Sequence, residues 1–344
     1  MSGIVGHSMY AVLGLKAAMQ RQLPLVAIAQ RHFASFLAGA YIGSDIQVMP
    51  EAICVDTGRE VGFGTVPLEK SPITGGAVRQ FRLATPEGAL TPRDVHERFY
   101  GRAHLVFGFT KKDAAMHVPW DHLPDYFAAM FDDAALIGPG ERQLAYALGW
   151  IVHVVGDSLI KGMQPGIDLN LLDGRYTARN RPVQDLVTYY EIGVKEFHLD
   201  WPAMFADMAA TPVEPLQLHY MRCAPKRGRL GEVFADHWLP EAEPTLRAVM
   251  AENRRWVKHH ANDVLDDMQL TNGECKATIR ELTGFTYPEM IEAAAKANFT
   301  QTLWRIGEEV AVMFEAVTHR SKVLAALPKD NGPGWDALTK RWRK

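Results

Sequence analysis

The chain has 344 residues, enough for one large domain or two ordinary ones, and 47% apolar with 10% aromatic residues supplies a full core, which excludes disorder over the whole length. A formal charge of −3 gives no global basic field, so no stable nucleic-acid complex is expected. Three widely spaced cysteines, Cys54, Cys223 and Cys275, exclude a disulfide framework and a CxxC zinc finger, and fit a reducing compartment.

In chain order, the start MSGIVGHSMYAVLGLKAAM is apolar but lacks a basic leader region, and Lys16 interrupts it. No later uncharged stretch approaches the ~18–20 residues of a spanning helix. A soluble, cytoplasmic protein without a transmembrane segment is therefore expected. From Tyr10 to about Gly43, helix-forming residues dominate and Pro24 breaks them, which predicts two helices joined near Gln22. Residues 46–92 change character: Val48, Ile53, Val55, Val61, Phe63, Phe81 and Leu83 fall in short runs between Gly and Pro, predicting a loop-rich insert with a few short strands.

Thr91-Pro92-Arg93-Asp94 reads as a helix start, and helical patterning resumes over residues 123–135 and most strongly over 141–160. A Gly-, Asp- and Asn-rich loop over 162–180 leads to a helical run from Arg181 to about Phe197. Further helices are expected near 243–268, 287–297 and 299–326. The fold class is mainly α: a multi-helix bundle in which residues 1–200 form the core carrying the insert and 201–330 pack on it. Residues 331–344 form a tail that caps the fold or frays.

The segment AYALGWIVHVVGDSLI is apolar on nearly every side, so its helix must lie deep in the protein. His153 and Asp157 break that pattern. An ionised carboxylate there is costly without a cation, a metal or several hydrogen bonds. Spacing i, i+4 places both side chains on one face, where they can clasp one metal ion or form a bland hydrogen-bonded pair. Seven of the thirteen histidines, His7, His32, His96, His104, His117, His122 and His153, fall in the first 153 residues. That is the dispersed supply a metal site in a bundle draws on.

FLAGAYIGSDI, followed about a hundred residues later by LGWIVHVVGDSLIKGM, resembles the zinc-dependent phospholipase C and S1/P1 nuclease superfamily. Its members pair a helix ending in a metal-binding Asp with an HxxxD helix of the form HYxGDxxQPxH. The resemblance implies a mainly helical fold holding up to three zinc ions that activate water against a phosphate ester. It gives Asp45 the role of the early Asp, matches His153 and Asp157 to the HxxxD pair and His104 to the histidine between them, and gives His7 a purpose as an N-terminal ligand. Two positions depart from it. Met163 stands where the motif ends in His, and Val187 stands four residues before Glu191, the match to the later HxxxE helix. One or two metals are therefore expected rather than a full trinuclear site.

The ligand set expected from sequence is thus His153, Asp157, Asp45, His7, His104, His122 and Glu191, with Asp157, Glu191 and Asp45 as catalytic carboxylates. His122 enters it from HVPWDHLPDYF, where prolines force a turn and Trp120 and Tyr126 either wall a pocket or join the core. His259-His260 point about 100° apart on a helix and read as a solvated face. No GxSxG elbow, nucleophilic cysteine setting, nucleotide-binding glycine loop or paired ExxH motif is present. The function expected is hydrolysis of a small or lipid-like phosphoester by zinc-activated water. The alternative is a non-catalytic helical binding or scaffold protein with a degenerate metal site.

Overall fold

The computed structural model describes residues 3–42, 49–61, 69–71, 74–95, 120–133, 140–160, 180–212 and 243–342. Asp45, His104, Met163 and the cluster around Cys223 lie outside them.

The chain opens with helix α1 (Ile4–Gln20), which ends where Gln22 takes a positive φ of 54° and Pro24 forbids continuation. The predicted second helix is divided at His32 into α2 (Val26–Arg31) and α3 (Phe33–Ile42). The insert follows: β1 (Ala52–Cys54) pairs antiparallel with β2 (Glu60–Val61) on one side and β3 (Val78–Gln80) on the other, and β4 (Leu83–Thr85) forms a hairpin with β5 (Gly88–Leu90). Thr91 then caps α4 (Pro92–Val95), its hydroxyl accepting from Asp94 N at 3.0 Å while Asp94 Oδ2 accepts from Thr91 N at 2.7 Å.

After a short turn at Trp120–His122 come α5 (Leu123–Asp132) and the 20-residue α6 (Glu141–Ile160). Next are α7 (Asn180–Val187), a π-helical stretch (Thr188–Val194) and α8 (Trp201–Ala210). The last part holds α9 (Glu243–Asp267), α10 (Ala277–Thr283), α11 (Tyr287–Lys296), α12 (Phe299–Arg320), α13 (Lys322–Ala325) and α14 (Gly334–Thr339). The mainly helical class is thus observed, with strands confined to the insert and two isolated bridges among the described residues.

Helices α1 and α6 are apolar on all faces and occupy the centre of one large core that draws side chains from Ile4 to Trp342. By length and composition α6 could cross a membrane, but 89% of its most apolar window is buried inside the protein. α3 crosses α6 and α12 crosses α1, both at glycines. A second, smaller core joins the insert to α9 through Phe81, Leu83, Val95, Leu246, Val249 and Trp256. Arg59, just before β2, clasps α9 through Asp263, Asp266 and Asp267 at 3.8, 3.5 and 2.8 Å.

The structure resolves the tail's two alternatives in favour of capping. Trp342 is buried against Phe33 with ring centroids 4.8 Å apart, its indole N–H donates to Asp207 Oδ2 at 3.0 Å, and its carbonyl accepts from Asp200 N. Helix α8 is an addition to the sequence reading. Asp200 caps it by accepting from Ala203 N at 3.3 Å, with Pro202 in its first turn.

Candidate metal centre

Three of the predicted ligands meet. His7, on the second turn of α1, and His153 and Asp157, one turn apart on α6, each offer a ligand atom, and these atoms all lie within 4.8 Å of one another. The two imidazoles stack with centroids 4.3 Å apart and planes 2° from parallel. His7 Nε2 lies 3.4 Å from Asp157 Oδ1, and His153 Nε2 lies 3.8 Å from Asp157 Oδ2. All three residues are no more than 1% exposed.

The backbone explains the placement. The last four carbonyls of a helix have no intrahelical partner, and Ala40 is in the last turn of α3. Its carbonyl accepts from His153 Nδ1 at 2.9 Å, which fixes the tautomer and leaves Nε2 as a lone pair facing Asp157. That reach requires α3 and α6 to touch backbone to backbone. Gly39 and Gly149 allow it: a Cβ on Gly149 would stand 2.8 Å from Ala40 N and 2.9 Å from Gly39 Cα.

His7 is held differently. Its amide donates to Gly3 O at 3.1 Å, so its position follows from where α1 begins. There, a Cβ on Gly3 would come within 2.7 Å of the Arg181 guanidinium and 3.1 Å of Asp185 Oδ2. Arg181 and Asp185, an i, i+4 pair on α7 at 3.5 Å, thus seat the start of α1. A carboxylate suits the positive end of a helix dipole. Burial pushes the Asp185 carboxyl above the usual range, while the charges of Arg181 and His7 pull it back. The His7 ring packs edge-on against Tyr10 at 5.7 Å and tilted against Tyr41 at 6.2 Å, and its Nδ1 has no hydrogen-bond partner among the described residues.

Two predicted ligands do not join this group. Glu191 sits on the π-helical stretch, where Oε1 accepts from Tyr287 OH at 2.6 Å and both oxygens accept from Lys195 Nζ at 2.7 Å. These partners satisfy it on a different side of the fold, so Asp185, six residues earlier, is the α7-side carboxylate nearest His7's charge. The signal for it was the polar stripe Asn180, Gln184 and Thr188 at i, i+4, i+8, all buried, beside Asp185. His122 is exposed at the turn before α5. Trp120, Tyr126, Tyr189 and Tyr190 pack on the main core rather than on the metal group.

A further correction concerns His259 and His260. The ~100° between successive helical side chains splits them. His259 is partly exposed, toward Gly58 O at 3.2 Å and Asp263 at 3.7 Å, whereas His260 is buried between Glu60 of β2 and the Tyr41 ring at 6.0 Å.

The chain matches no known family model, no curated protein and no solved structure. The phospholipase C resemblance therefore rests on the motif residues, of which His153 and Asp157 stand together with His7.

Proposed function

We propose that the chain is a metal-dependent hydrolase of a phosphoester, with His7, His153 and Asp157 holding a zinc ion. The observation that carries this reading is the meeting of three buried ligand atoms within 4.8 Å, drawn from two helices. Zinc bonds of about 2.0–2.1 Å in tetrahedral geometry set ligand atoms about 3.4 Å apart. The imidazole–carboxylate separations of 3.4 and 3.8 Å are close to that spacing. Three protein ligands with one open position is the pattern of catalytic rather than structural zinc. Bound there, the ion lowers the pKa of water to ~7 and polarises a phosphoryl oxygen. His153 is held by Ala40 O and His7 by the seat of α1, so neither imidazole has to reorganise on binding. The substrate is a small or lipid-like phosphoester, in keeping with the phospholipase C resemblance.

Elemental analysis of protein purified without added metal tests this. The expected result is about one zinc per chain, with Asp157→Asn losing both the metal and the hydrolysis of bis(4-nitrophenyl) phosphate. Metal-free wild-type protein from zinc-replete cells would sink the reading. One observation favours the scaffold alternative: Arg181 lies 3.5 Å from Asp185 and His7 3.4 Å from Asp157, so a protonated His7 would balance the buried charge without a metal. On that reading a chelator leaves the thermal midpoint unchanged.

A further inference from the structure

Outside the metal group, the buried titratable side chain with the clearest chemical setting is His260. It comes from α9, Glu60 from β2 and Tyr41 from the end of α3, and these three elements meet only because the insert is clasped onto α9 by Arg59. The Glu60 carboxylate lies against His260 Nδ1, and a carboxylate on one imidazole nitrogen fixes the proton there and leaves the other nitrogen as an acceptor. That other nitrogen, Nε2, is buried and has no hydrogen-bond partner among the described residues. A bare buried acceptor is costly unless a ligand or water supplies a proton donor. Tyr41 connects this group to the metal group, its ring lying 6.2 Å from His7 and 6.0 Å from His260. The other charged groups of this stretch face away: His259 and Asp263 pair with each other and with Arg59.

We propose that the Glu60–His260 pair is the proton acceptor of the hydrolytic site, with His260 Nε2 taking the proton of the attacking water. This rests on the metal-hydrolase reading above. The water's O–H bond breaks toward Nε2, its oxygen forms the bond to phosphorus, the phosphorus–oxygen bond to the alcohol breaks, and the departing alkoxide takes a proton from solvent. Glu60 holds the ring and stabilises the imidazolium, as a carboxylate does behind a catalytic histidine. Burial pushes the His260 imidazole down to about 4, so it is neutral and able to accept at neutral pH.

The test uses zinc-loaded full-length protein and bis(4-nitrophenyl) phosphate. His260→Ala is expected to keep its zinc, to lose about 10²–10⁴ in kcat, to lose the acid limb of the pH profile, and to regain part of the rate with added imidazole. Glu60→Gln is expected to lose less. Independently of turnover, ¹⁵N NMR of the histidine rings is expected to show His260 as the Nδ1–H tautomer. An Nε2–H tautomer, a full-rate His260→Ala variant, or a parallel loss of zinc and rate without imidazole rescue would each overturn the proposal. A wild-type protein that binds zinc but cleaves no phosphodiester would instead overturn the hydrolase reading on which it stands.

Discussion

Gly149→Ala tests the geometry that places His153. Two effects favour the substitution: alanine is about 1 kcal/mol better than glycine in a helix interior, and a buried methyl contributes about 0.8 kcal/mol. Against them stands the α3 backbone, because the new Cβ would fall on the Phe36 carbonyl oxygen and within 2.8 Å of Ala40 N. Backbone in a packed helix cannot swing aside as a side-chain end can, so the overpacking cost belongs near the ~3 kcal/mol upper end of its usual range. Separating the helices also stretches the 2.9 Å His153–Ala40 bond, worth about 1 kcal/mol. The cost wins, leaving a net loss of about 2 kcal/mol. With an unfolding entropy near 2 cal/mol/K per residue, a 344-residue chain should lower its Tm by about 3 °C. Calorimetry reads the Tm, and a competing chelator should show zinc affinity weakened by about 10–100-fold, as for loss of a partner that orients a ligand. A Gly149→Ala protein with an unchanged or higher Tm would refute the backbone contact and the account of how His153 is aimed.

The acid side of the stability curve should carry His260. Its folded pKa of about 4 lies below the ordinary value of 6.5, so the unfolded chain binds the proton more readily. Its stabilising contribution is therefore complete above pH 6.5 and lost as pH falls toward 4, roughly 3 kcal/mol in all. Glu60 opposes part of this loss, so urea unfolding compared at about pH 7 and about pH 4.5 should show a steeper fall in Glu60→Gln and a shallower one in His260→Gln. Equal slopes in His260→Gln and wild type would remove His260 as the source. Trp342→Ala should destabilise by about 3–5 kcal/mol, because a buried ring and its bond to Asp207 are lost together. A loss under about 1 kcal/mol in urea unfolding would mean the tail is not part of the core.

The sequence revealed those parts of the site where burial and local spacing agree. α6 was legible at both ends because its apolar run is long, and His153 and Asp157 stood out within it because little else there is polar. His7 was legible only through the family resemblance, since nothing in GIVGHSMY says which helix α1 will meet. Asp185 was under-read because a polar stripe on α7 resembles a solvated face until Gly3 and Arg181 are seen to pack there. His260 was misread for a related reason. α9 alternates charge along its length, and only the small core built by Phe81, Leu83 and Trp256 determines which side of it the insert covers. Contacts between segments far apart in sequence decide such cases, and no local pattern carries them.

The distances within the metal group bear on its purpose. A structural His–Asp pair in an apolar interior has no water competing for it, and charge-assisted contacts of this kind close to about 2.7–2.9 Å. Here His7 stands 3.4 Å and His153 3.8 Å from different oxygens of one carboxylate. The two imidazoles lie parallel at 4.3 Å, close together with no hydrogen bond between them. Three polar groups that crowd together without closing on one another, in an interior where separation is costly, are arranged around a point rather than in pairs. A cation at that point removes the cost of the buried carboxylate, gives both Nε2 lone pairs a partner, and accounts for why a backbone carbonyl rather than Asp157 holds the Nδ1 proton of His153.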